Sequence, residues 1–129
     1  MAILASTMAN GGVFNGTRLL SESTWRSFHS DAVEGDMVIG VNYFVKGGVA
    51  VEKLPTDASL EQRLSVEGVE GCHGWFGYGG SVIQWNPEMK IGFAFVPTFL
   101  YWIDWSSERG KRLLREVLRC CAGKRNAVC

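Results

Sequence analysis

Gly71-Cys72-His73-Gly74-Trp75-Phe76-Gly77-Tyr78-Gly79-Gly80-Ser81-Val82-Ile83-Gln84-Trp85, continued by Asn86-Pro87-Glu88-Met89-Lys90 and Ile91-Gly92-Phe93-Ala94-Phe95-Val96, is the stretch that decides the fold class. Aromatic and β-branched side chains suit a pleated, half-buried surface, so Trp75 to Trp85 and Ile91 to Val96 are expected to be β-structure. Asn86 to Lys90 between them is a turn-forming group. The two runs therefore predict an antiparallel hairpin, with Trp85, Phe93 and Phe95 as its core residues.

Downstream, Leu113, Leu114, Val117, Leu118 and Cys121 recur at helical spacing within Ser106 to Cys121, with Ser106 or Ser107 as the cap. This amphipathic helix is expected to pack on the hairpin, and Phe99 to Trp105 either lies buried beneath it or forms an exposed apolar patch. Upstream, Ala2 to Asn10 reads as a short helix closed by the left-handed Gly11-Gly12. Asn15-Gly16 signals a tight turn, and Ser21 caps a second helix over Glu22 to Phe28. Met37 to Lys46 is expected to be a strand or a bulged strand, and residues 54 to 71 a polar loop. The sum is an α+β fold, an antiparallel sheet with packed helices.

The 129 residues, 47% apolar and 20% charged, suit one domain. Thirteen basic residues balance thirteen acidic ones, so no net field steers the molecule toward nucleic acid or an anionic membrane. The charge is nevertheless divided, with seven basic residues and one acid in residues 109–129. That pattern fits a solvated helix face, or a basic helix docking on an anionic surface or an acidic partner. The longest apolar run, Ile91 to Ile103, contains Pro97 and is shorter than the ~20 residues a membrane-spanning helix needs. No secretory leader is visible, and Cys72, Cys120, Cys121 and Cys129 lack CxxC spacing, so reduced thiols in a cytosolic setting are the default expectation. A zinc site from Cys72, His73, Cys120 and Cys121 departs from the usual spacing of structural zinc pairs, and no cofactor is implied.

Nucleophile motifs are missing. There is no Ser-x-x-Lys; Ser23-Thr24-Trp25-Arg26 ends in an always-protonated Arg, which cannot serve as a base. Gly79-Gly80-Ser81-Val82-Ile83 lacks the last glycine of a nucleophile elbow. His29, expected at a helix C-terminus, and His73, among glycines, have no Ser or Asp partner by spacing.

The block Trp75 to Val96 resembles the C-terminal active-site strand and its partner strand in the serine β-lactamase-related family, which includes class C β-lactamases, penicillin-binding proteins and related esterases. Trp75-Phe76-Gly77 aligns with the family's Lys/His-Thr-Gly triplet, Gly79-Gly80-Ser81 with its glycine-rich continuation, and Asn86-Pro87-Glu88 with the following turn. Ala5 to Gly12 and Arg18 to Trp25 are similar to a helix, turn and helix upstream of that strand. The resemblance implies a partial β-lactamase/transpeptidase-like fold, with residues 1–129 as the C-terminal part of the domain. The family's Ser-x-x-Lys and Tyr-x-Asn motifs belong upstream of the region resembling Ala5. Trp75 also replaces the cation that holds a lactam carboxylate, a departure closer to some esterases. By resemblance, Trp75, Phe76, Gly77, Tyr78, Gly79, Gly80 and Ser81 form the substrate strand, with the Tyr78 N–H as an oxyanion-hole donor.

The implied function is the C-terminal part of a serine hydrolase that cleaves an ester, amide or lactam through an acyl-enzyme, with no activity of its own. Two alternatives remain: a pseudoenzyme or protein-interaction module, and an unrelated ligand-binding domain with Trp75, Tyr78 and Trp85 as an aromatic face. Glycine-rich aromatic strands also occur in lectin-like and barrel modules. As a fragment, the sheet is expected to leave Trp85, Phe93 and Phe95 uncovered, and the chain to self-associate through that exposed surface or stay partly molten.

Overall fold

A computed structural model of the chain describes residues 1–36, 41–51, 59–102 and 107–126. The N-terminal helix α1 (Ala2–Ala9) ends at Asn10, after which Gly11 and Gly12 take positive φ. Asn15 and Gly16, at φ 48 and 77, turn β1 (Val13–Phe14) back along β2 (Thr17–Arg18). Helix α2 (Glu22–Ser27) starts where Ser21 caps it, its hydroxyl accepting from the Thr24 N–H at 3.1 Å.

The main sheet is antiparallel and six-stranded, in the order β3 (Val33–Asp36), β4 (Val41–Val45), β5 (Gly48–Ala50), β6 (His73–Gly77), β7 (Ser81–Asn86), β8 (Ile91–Phe95). It is thus a plain meander, interrupted between β5 and β6 by helix α3 (Leu60–Val66). Helix α4 (Glu108–Asn126) closes the chain.

Strand β7 carries the core on both of its faces. Trp85, with Ile83 packed beside it, meets Ala5, Met8 and Ala9 of α1, and Leu20 and Phe28 complete that cluster. On the opposite face, Leu114 and Leu118 of α4 close over Val69 and Cys72, with Ile91 and Phe93 at the margin. Helix α4 comes close there because Gly110 sits over Val82 and Phe95. The sheet is therefore sandwiched at β7–β8, α1 on one side and α4 on the other.

Several expectations are corrected. Trp85, expected to be bare, is 4% exposed, because α1 covers the face that α4 does not. The run Trp75 to Trp85 is two strands, folded back at Tyr78-Gly79-Gly80, so a β6–β7 hairpin precedes the expected β7–β8 hairpin. The expected polar loop contains α3, and β3 and β5 were not anticipated. Of the Met37 to Lys46 strand, residues 37–40 lie outside the described residues, as do residues 103–106, including the candidate cap Ser106, and Cys129. Ser107 immediately precedes α4, its carbonyl accepting from the Lys111 N–H at 3.0 Å, while its hydroxyl donates to the sheet. No described helix is long and apolar enough to cross a membrane.

Candidate functional site

The residues singled out from sequence, Trp75 to Ser81, form the end of β6, the tight turn and the start of β7. Trp75 is 43% and Tyr78 54% exposed, while Gly79 and Gly80 are buried. Trp75 lies beside Phe76 and Phe44, at ring-centroid distances of 6.2 Å to each. The Lys111 ammonium sits 4.9 Å above the Phe76 ring.

This turn is held from outside. Ser107, fully buried, donates its hydroxyl to the Gly77 carbonyl at 3.1 Å and to the Ser81 carbonyl at 3.4 Å, tying the two strand ends together. Arg109 donates to the Gly79 carbonyl at 3.3 Å, and the Tyr101 N–H reaches the same oxygen at 3.5 Å. Gly79, at φ +90, has Leu100 directly against its Cα, so neither its conformation nor its space admits a side chain. Carbonyls anchored in this way fix the peptide planes between them. Within the turn itself the Gly80 N–H donates to the Gly77 carbonyl at 3.1 Å.

Trp85 does not join Trp75 and Tyr78 on an aromatic face. Its indole N–H donates to Nε2 of His29 at 2.8 Å, inside the α1 cluster. The other nitrogen of His29, Nδ1, donates to the Trp25 carbonyl at 2.8 Å. His29 stands just beyond the C-terminal end of α2, where the sequence places it.

His73 packs edge-on to His29, ring centroids 4.8 Å apart, and its Nδ1 is buried without a hydrogen-bond partner. Burial chiefly, with the neighbouring His29 second, pushes its pKa down to about 4, against a smaller opposing effect of the Gly71 backbone. An open cavity of about 430 Å³ lies over the pair, with Ala50, Val51, Glu70 and Glu88 among its lining residues. Sequence spacing could not bring these histidines together, because their contact depends on α2 folding back against β6 and β7. Neither ring makes a hydrogen bond to a serine, threonine or cysteine side chain among the described residues.

The imagined zinc ligands are scattered. Cys72 is buried in the α4 cluster, where loss of water pushes its thiol up to about 11, while Cys120 is exposed on the outer side of α4. Among the described residues no group of three His, Cys, Asp or Glu side chains is arranged to hold a metal ion. The basic face of α4 is also largely committed within the fold. Arg115 donates to the Glu67 and Leu64 carbonyls at the end of α3, and Arg119 pairs with Glu116. Comparison with known protein families, curated proteins and solved structures finds no match to this chain.

Proposed function

We propose that the chain carries the substrate-facing strand of a β-lactamase-related serine hydrolase and takes its nucleophile from outside these residues. The observation that carries this reading is the β6–β7 turn, whose carbonyls are anchored by Ser107, Arg109 and Tyr101 while Tyr78 and Trp75 stay exposed beside it. A turn needed only to reverse the chain requires no such external bracing. A turn that must present a backbone N–H to a developing oxyanion does. The order of elements supports the same reading: a helix and tight turn, a second helix, an antiparallel sheet and a terminal helix packed on it. In this role the Tyr78 N–H stabilises the acyl-transfer oxyanion, the glycines let the substrate approach the strand, and Trp75 favours an ester over a substrate bearing a carboxylate.

Two measurements test the proposal. Mapping the transcript upstream of the Met1 codon is expected to show an in-frame Ser-x-x-Lys and Tyr-x-Asn; a transcript beginning at that codon overturns the hydrolase reading in favour of an interaction module. The purified chain is expected to show no serine labelling by a fluorophosphonate probe, and labelling would place the nucleophile within it.

A further inference from the structure

Phe99, Leu100, Tyr101 and Trp102 are consecutive large side chains, exposed by 68, 63, 42 and 64%. They are anchored to the fold: Leu100 lies on Gly79, and the Tyr101 N–H meets the Gly79 carbonyl. The Arg109 guanidinium stands 5.1 Å from the Tyr101 ring centre. Tyr78 continues the surface across the turn, and Arg112, three residues along α4 from Arg109, is exposed. Glu108, at the start of the same helix, pairs with Arg115 and Lys111. The result is an aromatic patch beside two cations, with the helix's first carboxylate already compensated.

Single exposed apolar residues need no explanation, but a contiguous group of this size does. Trp and Tyr prefer the boundary between hydrocarbon and headgroups, where the ring is dry and its polar atom wet, and arginine is attracted to anionic headgroups. We propose that Phe99 to Trp102, with Tyr78, insert into the interfacial layer of an anionic bilayer while Arg109 and Arg112 meet its headgroups. The attachment is peripheral, through an apolar wedge and a basic rim acting together.

The test is sedimentation of the purified chain with vesicles of phosphatidylcholine alone or with about one-third phosphatidylserine, at low and at raised salt. Binding to the anionic vesicles is expected to be at least about tenfold tighter than to the neutral ones, and to weaken with salt. The double variant F99S/W102S should lose roughly tenfold or more, and Arg112→Gln about fivefold. Leu60→Ser, on the exposed surface of α3, should bind as the parent does. Arg112→Gln and the salt titration leave the apolar side chains intact, so the proposal stays testable if F99S/W102S misfolds. Equal binding to both vesicle types, or an equal loss with Leu60→Ser, overturns the proposal. So does a self-associating chain that F99S/W102S renders monomeric while the parent ignores vesicles, which would assign the patch to a second copy.

Discussion

At Gly92 a single hydrogen sets how close α1 comes to the sheet. A Cβ there would run into the backbone of Ala5 and Ser6, atoms that cannot swing aside as a side-chain tip can. Gly92→Ala is therefore expected to cost about 3 kcal/mol, seen as a lower urea midpoint, and an unchanged midpoint would show that α1 docks loosely. His73 gives a second expectation at this scale. Its folded pKa of about 4 lies below the ordinary 6.5, so the unfolded chain takes up the proton first. Stability is then unaffected above about pH 7 and falls as the pH drops from 6.5 toward 4. Glu70 and Glu88 line the same cavity. His73→Gln should lose less stability than the parent between about pH 7 and pH 5, and parallel losses would show that this imidazole is not shielded.

Among the elements, Ser107 is the residue that couples α4 to the β6–β7 hairpin. It is buried, sits at φ 56, and donates to carbonyls of both strands. Ser107→Gly removes the hydroxyl but suits the left-handed backbone, whereas Ser107→Ala removes it and keeps the strain. Both should destabilise, Ala by about 1 kcal/mol more than Gly, with faster amide exchange in residues 77–81; equal midpoints would show that the backbone conformation carries no penalty. Elements with local chemistry were legible: the Ser21 cap, the Asn15-Gly16 turn, the β7–β8 turn at Pro87 and the helical spacing of Leu114 and Leu118 all stand where the sequence put them. Strand β3 was not legible, because Val33-Glu34-Gly35-Asp36 has little intrinsic β preference and exists by pairing with β4. Helix α3 hid in a polar segment whose only apolar signal was the spacing of Leu60 and Leu64. In the candidate site the glycines and aromatics could be read directly. The bracing from Ser107, Arg109 and Leu100 could not, since those contacts span about thirty residues of sequence or fewer without any local motif.

Across the whole molecule the packing is one-sided, and its energetics should be too. Both apolar clusters centre on β7 and its neighbours, with α1 and α4 lying chiefly over β7 and β8 among the described residues. At the other edge, among the described residues, no helix packs closely on β3 and β4, and Val33 is 66% exposed. A strand pair with little buried apolar area is held mainly by its hydrogen-bond ladder, which water can replace residue by residue. The fold is therefore expected to open in two stages, and hydrogen exchange followed by mass spectrometry can separate them. Amides of Val33–Asp36 and Val41–Val45 should exchange through local opening that is insensitive to low urea, about a hundredfold or more faster than those of β7, β8 and α4. The protected set should instead slow and quicken together with global stability, so that Gly92→Ala accelerates β7 and β8 while leaving β3 and β4 as they were. Uniform protection from β3 to β8 would show that the outer hairpin draws its stability from the same core, and the division at β5 would then have no energetic meaning.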